Sequence, residues 1–164
     1  KAEERVGTTA EPGRKNVRAV VGMELARGQV IQELGWDSDA DESLREAIME
    51  AIDGDLVDEV VEAVDAVLLW WREEDGDLVD GLFDALRDLS QAGCVWLLTP
   101  KVGRSGYVDP ADIAEGAITA GLALGHPLPE AVARAKAFIT EAIRTNPGLG
   151  GGCGPVNHHA LPVQ

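Results

Sequence analysis

Positive charge and aromatic residues are both scarce in this 164-residue sequence: 14 Lys and Arg stand against 29 Asp and Glu, and Phe, Trp and Tyr make up 4%. A net charge of −15 leaves no basic stripe with which to neutralise phosphate. That excludes a nucleic-acid backbone or an anionic membrane as a partner. Cysteine is rare too. Cys94 lies in an apolar run and Cys153 in a glycine-rich tail, settings too unlike for a disulfide framework, which points to a reducing compartment. The longest apolar stretches, such as residues 63–71, are far too short to span a bilayer, and no apolar signal-peptide core opens the chain. These absences predict a cytoplasmic protein.

What is abundant is carboxylate, and it is concentrated. Residues 1–28 hold 6 bases and 4 acids, residues 29–91 hold 3 bases and 20 acids, and residues 92–164 hold 5 of each. The whole surplus therefore belongs to the central block, and its one-sidedness suits a basic protein partner.

The order of elements follows from hydrophobic period. Residues 1–22 mix charge, Gly, Pro and Thr without apolar periodicity and read as a disordered lead-in. A short strand is predicted over 29–34. Leu44, Ala47, Ile48, Ala51 and Ile52 then fall at helical spacing, with Asp39 and Asp41 as candidate N-caps and Gly54 as the stop. The continuous apolar run of residues 66–71 predicts a buried central strand. Asp77 opens a second helix with Leu78, Leu82, Ala85, Leu86 and Leu89 on its apolar face and Gly93 at its end, followed by a third strand over 94–98. Asp109-Pro110 starts another helix, and a last one spans residues 129–144 before a glycine-rich tail. Strands apolar on both faces, alternating with helices, predict a small three-layer α/β domain with a parallel sheet of about three strands.

In such a sheet ligands bind beyond the carboxyl ends of the strands. After the first strand come Gly35-Trp36-Asp37-Ser38-Asp39-Ala40-Asp41-Glu42, a helix start loaded with acid, which opposes a nucleotide phosphate. Asp37, Asp39 and Asp41 have the alternating spacing of a calcium loop, yet Glu42 stands where that loop needs Gly and Ile48 where it needs a bidentate Glu. They are weak metal candidates, and capping the helix is the simpler role. After the third strand, Lys101 and Arg104 in a glycine-containing loop form a candidate small-anion site, or else offset the neighbouring acids. Trp36 at a strand end is a candidate pocket wall, whereas Trp70 and Trp71 face opposite sides of the sheet and anchor one helix layer each. His126, His158 and His159 do not combine with Cys153 at zinc-ligand spacing. No catalytic set can be specified from the residues.

The segments LGWDSDADESLREAI, DAVLLWWREEDGDLVDGLFDAL and VWLLTPKVGRSGYVDPADIAE resemble the actinobacterial family known as domain of unknown function 3052, over residues 23–122. That resemblance implies a Rossmann-like α/β domain, similar to a methyltransferase core without its glycine loop, and no established activity. A second resemblance covers residues 117–164. There AITAGLALGHPLPEAVARAKAFITEAIRTNPGLGGGCGPVNHHA resembles the C-terminal end of the hydroxymethylpyrimidine/phosphomethylpyrimidine kinase of thiamine biosynthesis. It implies ATP and Mg²⁺ as cofactors and a glycine-rich anion hole with a catalytic Cys or Asp before the penultimate helix. Here that place reads Val108-Asp109-Pro110-Ala111-Asp112-Ile113-Ala114-Glu115-Gly116, without the motif, and Cys153 stands where the kinase tail commonly has His.

The chain thus reads as a lead-in (1–22), an acidic α/β domain (23–122) and a kinase-tail-like helix with a glycine-rich C-terminus (123–164), a chimeric or fused arrangement. The functional expectation is a non-catalytic binding or regulatory module that needs no cofactor. The alternative is a fragmentary thiamine-pathway kinase. Helix 129–144 is expected to dock through Val132, Phe138 and Ile139, or to expose that stripe and self-associate.

Overall fold

The computed structural model of the protein describes residues 20–59 and 63–144, the last seven of them as backbone only. The lead-in up to residue 19 and the glycine-rich tail lie outside the described residues; Val20 begins a helical turn and packs against the core. The elements run β1 (Ile31–Leu34), α1 (Glu42–Ile52), β2 (Val64–Trp70), a 3-10 turn (Glu73–Asp75), α2 (Leu78–Leu86), β3 (Leu89–Leu98), α3 (Pro110–Ala123) and α4 (Leu128–Arg144). The three strands are parallel and ordered β1-β2-β3, with helices on both faces. This is the small α/β domain that the alternating pattern predicts.

Alternation along β2 divides the core. Ala66, Leu68 and Trp70 point to the layer closed by Leu44, Ile48 and Ile52 of α1. Val67 and Leu69 point to the layer closed by Leu78, Leu82 and Ala85 of α2, together with Val108 and Ile113. Trp71, just past the strand, packs against this second layer while Trp70 lies in the first, as the strand period requires. The outer edge of β1 is covered in part by Val57, whose N–H donates to the Ile31 carbonyl at 3.0 Å and whose carbonyl accepts from Glu33 at 2.8 Å.

The first three helices each start on an aspartate. Asp41 accepts from the Leu44 N–H at 3.1 Å, Asp77 from Val79 at 2.8 Å and Asp109 from Ala111 at 2.8 Å, with Pro110 in the first turn. The end of α1 falls one residue before the expected glycine: Asp53 takes the left-handed conformation, φ 58°. The larger departure is in β3. Its strand begins at Leu89, where helical spacing places one more turn of helix. Between Val64↔Leu89 and Ala66↔Cys94, β2 advances two residues and β3 five, so Ser90 to Gly93 bulge out of register. Gly93 permits this, since a Cβ there would come within 2.9 Å of the Asp65 carbonyl oxygen.

The C-terminal helices stack outward from the second layer. Gly116 lets α3 approach α2, because a Cβ there would reach Leu82 Cδ1 at 2.8 Å. In turn α4 packs on α3 through Ala131 and Ala135, both buried, while Val132 is exposed. Docking therefore uses the small residues of the stripe instead of Val132; the side chains of Phe138 and Ile139 lie outside the described residues.

Leu68 is fully buried, so Leu68→Ala is expected to cost about 2–5 kcal/mol of folding stability. Urea unfolding followed by tryptophan fluorescence measures it, and a loss below about 1 kcal/mol would contradict this account of the core.

Candidate functional site

At the carboxyl ends of β1 and β2 the chain turns twice within a small space, and the turns are tied by one guanidinium. Arg72, the second residue after β2, donates from Nη1 to the Gly35 carbonyl at 2.8 Å and from Nε to Asp39 at 3.0 Å, and its Nη2 also binds Asp39. Asp75 returns to the same place, accepting from the Arg72 backbone N–H at 2.8 Å. Arg72 thus joins the β1–α1 turn to the β2–α2 turn. The β3–α3 loop joins them through Gly106, whose carbonyl accepts from the Glu73 N–H at 3.1 Å. Gly35 is needed here on two grounds: its φ is +67°, and a Cβ would collide with the Trp70 carbonyl oxygen.

A second arginine organises the α1 side. Arg45 makes a two-pronged contact with Glu33, at 2.6 and 2.7 Å, and reaches Glu42 at 2.7 Å. Glu33 projects from β1 with only 9% of its side chain exposed, and the Trp70 indole N–H donates to it at 2.9 Å. Arg45 also lies over the Trp36 ring, 5.2 Å from its centroid, and so holds that exposed indole by one face. The carboxylates beside it hold the Arg45 guanidinium still more firmly in its charged form, Glu33 first.

Beside the Arg72 contacts lies a cleft of about 380 Å³, lined by Leu34, Gly35, Trp36, Asp37, Leu69, Trp70, Trp71, Arg72, Asp75, Gly81 and Asp84. Trp36 and Trp71 supply aromatic walls. The Trp71 ring lies against Gly81, where any Cβ would displace it. Asp37, Asp75 and Asp84 place carboxylates around the opening, and Arg72 is the one base in the lining. Beyond Trp71 a second hollow of about 280 Å³ carries Glu73, Asp77, Asp112 and Glu115.

The three candidate metal aspartates have separate engagements: Asp37 accepts from the Ser38 N–H, Asp39 binds Arg72, and Asp41 caps α1. Among the described residues no group of three or more His, Cys, Asp or Glu could hold a metal ion. Lys101 and Arg104 occupy an exposed turn, closed by the Arg104 N–H on the Lys101 carbonyl at 3.0 Å, and neither lines the cleft. The base that lines the cleft is Arg72. Cys94 is exposed on β3, and its partial burial against the sheet raises the thiol pKa, which keeps it protonated at neutral pH. Cys153, His158 and His159 lie outside the described residues. None of the described helices is long and apolar enough to cross a membrane.

Set against known proteins, residues 21–135 match a family model described as a protein of unknown function, DUF3052. An uncharacterized protein of Mycobacterium tuberculosis is 56% identical over 99 residues, which is 60% of this chain and 63% of that protein. The chain thus spans about three-fifths of the length of the mycobacterial relatives it matches. Shorter likenesses join it to hydroxymethylpyrimidine/phosphomethylpyrimidine kinases. That of Streptomyces coelicolor is 35% identical over 89 residues, 54% of this chain and 32% of the kinase. That of Staphylococcus aureus is 58% identical over 43 residues, 26% of this chain and 16% of the kinase.

The Arg72 contact also makes part of the fold's stability depend on pH. Hydrogen bonding to Arg72 lowers the Asp39 pKa from its usual 3.8. A depressed carboxylate stabilises the fold above its unfolded-state value and loses that contribution as pH falls through the folded one. Asp39→Asn is therefore expected to be less stable than the parent at pH 7, with the two melting curves converging below pH 3.8. Thermal melts across a pH series measure this, and a difference unchanged at low pH would refute the assignment.

Proposed function

The chain belongs to the DUF3052 family, and from that premise we propose that it is a non-catalytic binding module whose partner is a basic protein. One observation carries the proposal: the cleft between Trp36 and Trp71, rimmed by Asp37, Asp75 and Asp84. A Lys or Arg side chain from the partner enters with its stem against the indoles and its charge toward the carboxylates. Trp36 favours this mode because Arg45 already fixes one of its faces while half of the side chain stays exposed. The charged groups of the lining are engaged within the fold, Asp75 by Arg72, Asp84 by Arg87 and Asp37 by a backbone N–H. Such groups are held as a fixed electrostatic surface and are poorly placed to shuttle protons. The −17 block adds long-range attraction for a cationic partner and repulsion of phosphate.

Titration of tryptophan fluorescence with an arginine-rich and a glutamate-rich peptide of equal length tests this reading. The expected result is saturable quenching by the basic peptide alone, weakened about tenfold by Trp36→Ala or by Asp37→Asn with Asp84→Asn, and falling with salt. Equal response to both peptides, or full binding by Trp36→Ala, would count against it.

A second reading, a hydroxymethylpyrimidine/phosphomethylpyrimidine kinase activity using ATP and Mg²⁺, rests on the likeness to kinases of that name. The acidic rim works against it, because a triphosphate needs donors and cations where this cleft presents carboxylates. Calorimetry with ATP, Mg²⁺ and hydroxymethylpyrimidine is expected to give no binding heat; measurable heat and turnover would instead install the kinase reading.

A further inference from the structure

One carboxylate of β1 faces the core. Glu33 follows Ile31 by two residues, so strand alternation turns it to the layer closed by α1, and only 9% of its side chain is exposed. An unpaired charge in that setting is costly. Two groups donate to it there: the Trp70 indole N–H at 2.9 Å, and the Arg45 guanidinium through Nε at 2.6 Å and Nη2 at 2.7 Å. A neutral glutamine could accept from the indole as well; the two-pronged grip on the guanidinium needs both oxygens of the ionised acid.

Arg45 is in turn used on its edge and on its face. Along the edge, Glu33 takes Nε and Nη2, while Nη1 donates to both oxygens of Glu42 at 2.7 and 2.9 Å. The face is left for the Trp36 indole, whose centroid lies 5.2 Å from the guanidinium carbon. A lysine would neutralise Glu33 but has no plane to lay against a ring. Trp36 sits in the turn after β1 with 51% of its surface exposed, so packing alone holds its rotamer weakly and the stack adds a second restraint. The balance of charge matters too. A lone cation behind the ring would repel a cation arriving in front of it, whereas Arg45 is shared by two carboxylates and the cluster as a whole is negative.

Resting on the basic-partner reading above, we propose that Glu33 is a positioning residue for the cleft: through Arg45 it holds the Trp36 indole by one face and leaves the other preset for the partner's cationic side chain. The order of the cleft wall is then fixed from its buried end, by a residue that touches no ligand. Binding is tighter for it, because less side-chain freedom remains to be lost when the partner arrives.

Fluorine NMR of protein labelled with fluorotryptophan reads the positioning before any partner is added. The chain has four tryptophans, and the resonance missing from Trp36→Phe identifies Trp36. In Glu33→Gln, Arg45→Met and Arg45→Lys that resonance is expected to move toward its place in the urea-unfolded protein, while circular dichroism stays that of the parent. Should Glu33→Gln fail to fold, Arg45→Lys decides, since it keeps a charge for Glu33 and removes the plane. Calorimetric titration with the arginine-rich peptide adds a readout of opposite sign to simple electrostatics. Arg45→Met removes a positive charge beside the site, which by itself tightens the binding of a cation; loss of positioning weakens it several-fold instead. A Trp36 resonance unmoved in Arg45→Met and Arg45→Lys, or peptide binding that tightens in Arg45→Met, would overturn the proposal. If the parent protein takes up no peptide, the basic-partner reading falls, and the Trp36 resonance alone decides whether Glu33 and Arg45 position that ring.

Discussion

The interaction on which the strand-end architecture depends is the Arg72 guanidinium, placed where a parallel α/β fold has most to hold together. Three loops converge at the carboxyl ends of the strands, and an all-acidic set of turns would push apart. Arg72 binds the Gly35 carbonyl and Asp39 in one turn and meets Asp75 in its own. Only 12% of its side chain is exposed, so these contacts work where water screens them incompletely. The block 29–91 contains three bases, Arg45, Arg72 and Arg87, and each is set against carboxylate. Two of them are partly buried and cross-link separate elements. The third, Arg87 with Asp84, is an exposed pair within one helix turn and contributes little. Cohesion of an acidic domain thus rests on where its few bases sit, more than on how many there are.

Much of the fold was legible because its signals are local. The unbroken apolar run of β2, the aspartates ahead of α1 and α2 and the Asp-Pro start of α3 depend only on neighbours in the chain, and the structure follows them. The start of β3 was not legible. Leu89 continues the helical spacing of Leu78, Leu82 and Leu86, and only the pairing of Leu89 with Val64 draws it into the sheet. Tertiary pairing overrode local period there. The site was legible only in part. Trp36 at a strand end marks the cleft, and the acidic helix start explains its rim. Lys101 and Arg104, with their charge and nearby glycines, are outside the lining of that cleft, while Arg72 lines it and Arg45 holds Trp36, two cations among many acids with no motif around them. Their scarcity was the available signal, since a lone base in an acidic block has carboxylates to bind wherever it folds.

Trp70 and Trp71 show how one local rule produces both core and cleft. Adjacent residues at a strand end point to opposite faces, so one indole enters the α1 layer and donates to Glu33, while the other turns over Gly81 of α2. The first stabilises the floor of the cleft and the second forms its wall. Exchanging bulk between them would fail on both sides. A side chain at position 81 would displace Trp71, and a shorter residue at position 70 would leave the Glu33 carboxylate without its indole donor.

Parallel α/β folds often receive phosphate at their strand ends, and in this chain the first helix start there is rich in aspartate. Helix N-termini at strand ends attract anions through their free N–H groups and the helix dipole. In this chain one such N–H at each start is taken by the chain's own carboxylate, Leu44 by Asp41 for α1 and Val79 by Asp77 for α2. Each cap supplies internally the anion that a nucleotide would otherwise bring. Asp37, Asp75 and Asp84 also line the cleft beside Trp36 and Trp71, with Arg72 as the one base there, so carboxylate outnumbers base in the lining. The proposed basic partner rests on that balance of charge at a position where the architecture, by itself, would favour an anion.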